Sequence, residues 1–152
     1  MRLRRCRLVL SEQPRLAGAK TLNRLENVLA RAEWDDESIH EGVLCDTAGR
    51  LVEGTMSNVF VVRGGAVDTP RLDRCGVAGA QRARVLALLA ASGIRCQESD
   101  IPYEELASSD EVFLTNSLIG AWPVASLDAR TWAPGPVTRL AQRAIREDDA
   151  RA

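Results

Sequence analysis

The sequence predicts an α+β domain, an antiparallel or mixed strand meander with flanking helices. Three observations predict it. Short β-rich runs separated by Gly- and Asp-containing turns fill residues 42–70. Two longer segments, 21–33 and 80–92, carry apolar residues at helical spacing. Strands and helices interleave irregularly, with no internal repeat and no low-complexity tract.

Taken in order, residues 2–10 read as a strand whose second half alternates, Cys6, Leu8 and Leu10 on one side against Arg5, Arg7 and Val9. SEQPRLAGA is a loop. Leu22, Leu25, Val28 and Leu29 fall on one face of a helix over 21–33, placing Lys20 at its entrance. GVLCD (42–46) runs into the turn DTAGR, and LVE (51–53) answers it. SNVFVV (57–62) meets the turn RGG, and AVDTP returns. After CGVAG, a helix over 80–92 presents Val85, Leu86, Leu88 and Leu89. IPYEELASSD holds a short helix with Pro102 near its first turn. EVFLTNS is a strand ending in polar residues, and 136–148 is a surface helix fading into acidic residues.

The 152 residues fit one domain, 1–152. A net charge of −1 gives no general pull towards nucleic acid. The basic start MRLRRCRLVL could be a leader, but no apolar run follows it. No stretch is apolar enough to span a bilayer, so a soluble cytoplasmic protein is expected. Cys6, Cys45, Cys75 and Cys96 are scattered and His40 is the single histidine, a pattern of buried reduced thiols rather than a zinc site.

Four places could carry chemistry. Lys20 is the only lysine beside nineteen arginines. An amine that must act as a nucleophile cannot be exchanged for a guanidinium, which keeps its proton; a chance survivor on the surface is the plainer reading. Glu53, at a strand end in VEGTMSN, is either a solvated edge residue or a carboxylate paired with a cation or ring nitrogen. Gly76 and Gly79 precede a helix whose first free N–H groups, near Ala80 and Gln81, could hold a phosphate; an ordinary loop-to-helix junction would look the same. Asn116 and Ser117 in LTNSL could add donors for the same anion or simply form a turn.

Read in order, KTLNRLENVLA, VEGTMSNVFVV, TPRLDRCGVAGAQR and DEVFLTNSLIGAWPV resemble the fold-type IV enzymes that use pyridoxal 5′-phosphate (PLP), the family of branched-chain and D-amino-acid aminotransferases, and within it the aminodeoxychorismate lyase branch. The resemblance runs from about Arg7 to about Ile145. It implies that Lys20 is the lysine that bonds to the PLP aldehyde, which arginine cannot do. It implies Arg24 near the phenolic oxygen of PLP, where aminotransferases tend to have tyrosine, and Glu53 on the pyridine nitrogen. It implies Ala80 and Gln81 as helix-start amides on the phosphate, with Asn116 and Ser117 as a second phosphate loop. The activity implied converts 4-amino-4-deoxychorismate to 4-aminobenzoate and pyruvate, towards folate, with Lys20 as the base. Aminotransfer and a non-catalytic binding role are the alternatives. A homodimer is implied as well. So is a smaller N-terminal domain, which supplies an arginine to the phosphate; this chain starts where the larger domain begins.

Overall fold

The computed structural model describes residues 1–151. The chain forms β1 (Arg2–Leu10), α1 (Leu25–Arg31), β2 (Glu41–Asp46), β3 (Leu51–Gly54), β4 (Asn58–Arg63), β5 (Ala66–Pro70), α2 (Ala80–Ala91) and β6 (Cys96–Ser99). A 3-10 turn over Tyr103–Ser108 leads to β7 (Glu111–Asn116), β8 (Gly120–Pro123), β9 (Ser126–Leu127), β10 (Arg130–Thr131) and α3 (Pro136–Asp149).

The meander is divided between two five-stranded sheets, ordered β10-β9-β1-β2-β3 and β6-β5-β4-β7-β8. Both are mixed: β1 lies parallel to β2 and β5 parallel to β6, while β2–β3, β4–β5, β4–β7 and β7–β8 are antiparallel. Strand alternation sorts side chains into layers. Leu3, Val43, Cys45 and Leu51 of the first sheet pack against Val59, Val61, Val112 and Leu114 of the second. On the outer face of the second sheet, Phe60 and Phe113 stack with ring centroids 4.7 Å apart. Val85 and Leu89 of α2, with Val137, Ala141 and Ile145 of α3, cover that pair. Leu44 and Val52 face outward from the first sheet onto Ala30 and Trp34.

The chain crosses between sheets at residues 55–57, and a buried carboxylate staples the crossing. Glu41 accepts hydrogen bonds from the N–H groups of Gly42, Thr55 and Met56 and from the hydroxyls of Thr55 and Ser57. Four of these donors come from the corner itself, so a charge buried at 1% exposure is fully solvated by the protein. A second buried carboxylate, Glu111, takes the N–H groups of Val137 and Thr138 and the Thr138 hydroxyl. It caps α3 from a neighbouring strand, where Gly135 offers no side chain to do so.

One expectation fails in register. The first helix covers Leu25–Arg31, not 21–33, and buries only Ala30. Leu22, Leu25, Val28 and Leu29 stay exposed. The delay has a local cause: the Arg24 guanidinium donates to the carbonyls of Ala19 (2.7 Å) and Thr21 (3.3 Å), holding 19–24 in irregular, non-helical backbone. Elsewhere the segments lie within one or two residues of where they were read. Cys6, Cys45 and Cys75 are buried and Cys96 is half-buried, all as free thiols. Burial pushes the Cys6 thiol up to about 12 and those of Cys45 and Cys75 to about 11, which makes them inert. No helix among the described residues is long and apolar enough to cross a membrane.

Candidate active site

Beside the crossing between the sheets lies an open cavity of about 670 Å³. The segment before α1 borders it with Lys20, which is exposed, and the half-buried Arg24, and α1 contributes Asn27. The corner supplies Glu53 and Asn58, the start of α2 brings Ala80 and Gln81, and the β7–β8 turn adds Asn116 and Ser117. All seven residues singled out in the sequence therefore border one space, drawn from four separate stretches of chain.

Glu53 is 2% exposed. Its Oε2 accepts the Val77 N–H at 2.7 Å, and its Oε1 accepts the Asn27 amide at 3.1 Å. Burial raises its carboxyl pKa above the ordinary 4.5. The two hydrogen bonds and the charges of Arg24 and Lys20 act in the opposite direction without cancelling that rise. Glu53 thus has fewer partners than Glu41, and it borders open space.

The start of α2 has no side-chain cap. Its first turn leaves the N–H groups of Ala80, Gln81 and Arg82 without intrahelical acceptors, and the helix dipole adds to them. Asn58 fixes this end: its Nδ2 donates to the Val77 carbonyl at 2.7 Å, and its Oδ1 accepts the Gly79 N–H at 3.1 Å. A Cβ on Gly79 would collide with that oxygen, so any other residue here would displace the Asn58 amide from its two contacts. Gly76, at φ +84°, makes the left-handed turn that brings Val77 back to Glu53.

Asn116 serves its own turn. Its Oδ1 accepts the N–H groups of Leu118 and Ile119, both at 2.9 Å, and its Nδ2 donates to the Met56 carbonyl at 3.1 Å. Ser117 is exposed beside it. Arg24 likewise spends its guanidinium on the carbonyls on either side of Lys20. Sequence reading missed Asn27, Asn58 and Thr115. The last two had a signal: each is polar at a position where the alternation of β4 and β7 calls for an apolar neighbour of Phe60 and Phe113.

The residues fit PLP. The cavity holds one primary amine for an aldehyde, one buried carboxylate for a ring nitrogen and an uncapped helix start for a phosphate. The buried Thr115 Oγ1 at its wall has no hydrogen-bond partner.

Residues 2–127 match the family model described as amino-transferase class IV. The chain belongs to that family. Among class IV relatives, it is 40% identical over 124 residues to the aminodeoxychorismate lyase of Vibrio harveyi, matching 82% of this chain and 46% of that protein. Its structure superposes on the crystal structure of 4-amino-4-deoxychorismate lyase from Pseudomonas aeruginosa with a TM-score of 0.95 and 49% identity, covering 97% of this chain and 55% of the other. An aminotransferase from Brucella abortus, solved bound to the cofactor PLP, matches 80% of this chain and 44% of its own, with a TM-score of 0.72 and 31% identity. The chain spans about half the length of these class IV relatives.

Proposed function

We propose that this chain is the PLP-binding part of an aminodeoxychorismate lyase, acting in the cytoplasm on 4-amino-4-deoxychorismate to give 4-aminobenzoate and pyruvate for folate synthesis. The observation that carries the reading is that Lys20 and Glu53 border one cavity with the uncapped start of α2. PLP, when bound, supplies an aldehyde that bonds to amines and a ring that draws electrons from the carbon beside the nitrogen. Lys20, the single lysine of the chain, would be the attachment point for that aldehyde, and its Nζ would serve as the base that accepts a proton from the substrate carbon bearing nitrogen. Glu53, buried at the cavity wall, would be the carboxylate that pairs with the ring nitrogen and favours its protonated form. Ala80, Gln81 and Ser117 would donate to the phosphate, and Asn116, whose amide is engaged in its own turn, would shape the loop that presents Ser117. Arg24 holds the Lys20 backbone by its two carbonyl contacts. The homodimer is part of the same proposal, and the exposed apolar residues Leu22, Leu25, Val28 and Leu29 are surface available to it.

The similarity to aminotransferases keeps a second reading in view, amino transfer to a keto acid. Against it stands Arg24 at the position where a tyrosine was expected of that branch. The test is product analysis with PLP added. Pyruvate released from 4-amino-4-deoxychorismate without a keto-acid acceptor supports the lyase; turnover only with an acceptor supports the transaminase. Lys20→Ala should abolish both the visible absorbance of PLP bound to the chain and all turnover. If that absorbance survives the substitution, Lys20 is not the attachment point and the reading falls.

A further inference from the structure

We propose that the Thr115 hydroxyl is a binding group for the phosphate of the cofactor, a role that rests on the PLP reading above. Thr115 is fully buried, yet its Oγ1 has no hydrogen-bond partner and it borders the cavity. An unpaired buried hydroxyl is costly, because it has left water without gaining a partner. Valine would fill the same space without that cost.

Register shows which way the group faces. Thr115 pairs directly with Asn58 across β4 and β7, as Phe60 pairs with Phe113 two residues along. Paired residues point to the same side of a sheet, so Thr115 shares the face of Asn58. The Asn58 amide grips Val77 and Gly79, immediately before the uncapped first turn of α2. That places Thr115 at the end of the cavity where the free N–H groups of Ala80 and Gln81 gather. The neighbouring Asn116 has both ends of its amide engaged in its own turn, so within 114–118 the buried donor left over is Thr115. A phosphate oxygen is the acceptor that suits this end: the helix dipole favours an anion, and the cations Lys20, Arg24 and Arg31 border the same space.

The experiment compares PLP with pyridoxal, which carries the aldehyde but no phosphate. Each is titrated into the wild-type chain, Thr115→Val and Thr115→Ser, following the visible absorbance of the bound aldehyde, and each unliganded protein is melted. Thr115→Val should weaken PLP roughly tenfold, the order expected for one hydrogen bond to a charged group, and leave pyridoxal unchanged. Thr115→Ser should recover most of the PLP affinity. Unliganded Thr115→Val should melt at or above the wild type, since it loses an unpaired polar atom. An unchanged PLP affinity in Thr115→Val overturns the assignment while leaving the cofactor reading intact. Equal weakening of both aldehydes, or a lower melting temperature without ligand, overturns it by showing a packing role. If the wild type takes up neither aldehyde, the cofactor reading fails and this assignment with it.

Discussion

Two helices border the same cavity and read alike in the sequence, yet they use their apolar residues in opposite ways. α2 buries Val85 and Leu89 completely against the stacked Phe60 and Phe113. α1 is only seven residues long, seats Ala30, and leaves Leu25, Val28 and Leu29 exposed. The two meet at Glu53: Asn27 of α1 holds one carboxylate oxygen, and Val77, in the turn before α2, holds the other. One helix is therefore built into the scaffold and supplies fixed donors. The other is tied down mainly by polar contacts around Lys20, with an apolar face still to be covered. Helical periodicity reports that a face is apolar; it does not report which surface takes it up.

The largest test of that contrast is Leu89→Ala. The side chain is fully enclosed between the second sheet and α3, so its loss leaves a cavity and should cost about 2–5 kcal/mol, read as a lower urea midpoint with an unchanged slope. A loss below about 1 kcal/mol would mean that α2 is not the rigid member of the pair.

Glu53→Gln comes next and acts where the helices meet. The Glu53 carboxyl is raised above 4.5 chiefly by burial, so the folded chain binds its proton more tightly than the unfolded chain does. Its contribution to stability is fully present below 4.5 and is lost as pH rises through the raised value. Glutamine keeps the shape and has no proton to lose. The variant should therefore gain on the wild type between acid and neutral pH, while its affinity for PLP falls. Unfolding titrations at pH 4 and pH 7 check this: a gap between variant and wild type that stays constant with pH would show that Glu53 carries no burial penalty.

Much of this was legible because it is local. The stripe of α2, the turns at DTAGR and RGG, and the strands 2–10 and 111–116 depend on neighbours a few residues away. Lys20 was legible by composition, as the one amine among arginines. What could not be read depends on partners distant in the chain. Glu41 staples a corner fourteen to sixteen residues on, and that staple divides the meander into two sheets. Asn58 fixes a helix start that follows it by about twenty residues. The start of α1 shifted because Arg24, read as a cofactor contact, spends its guanidinium on the Ala19 and Thr21 carbonyls; a local helix propensity gives no warning of such a bond.

The smallest expected effect belongs to α1. Leu25→Gln keeps helix propensity nearly constant, since leucine and glutamine rank together, and removes apolar surface from a position 63% exposed. If that face plays no part in the chain's own core, the stability of the chain alone should move by less than about 0.5 kcal/mol, the range for surface changes. Thermal melts of the purified chain at low concentration measure it, because dilution removes any contribution from association. A loss near that expected for Leu89→Ala would place Leu25 in the core and erase the difference between the helices. An unchanged melt at low concentration, with a fall confined to high concentration, would sharpen the contrast: the apolar residues of α1 would then stabilise an association between molecules, while those of α2 stabilise the fold.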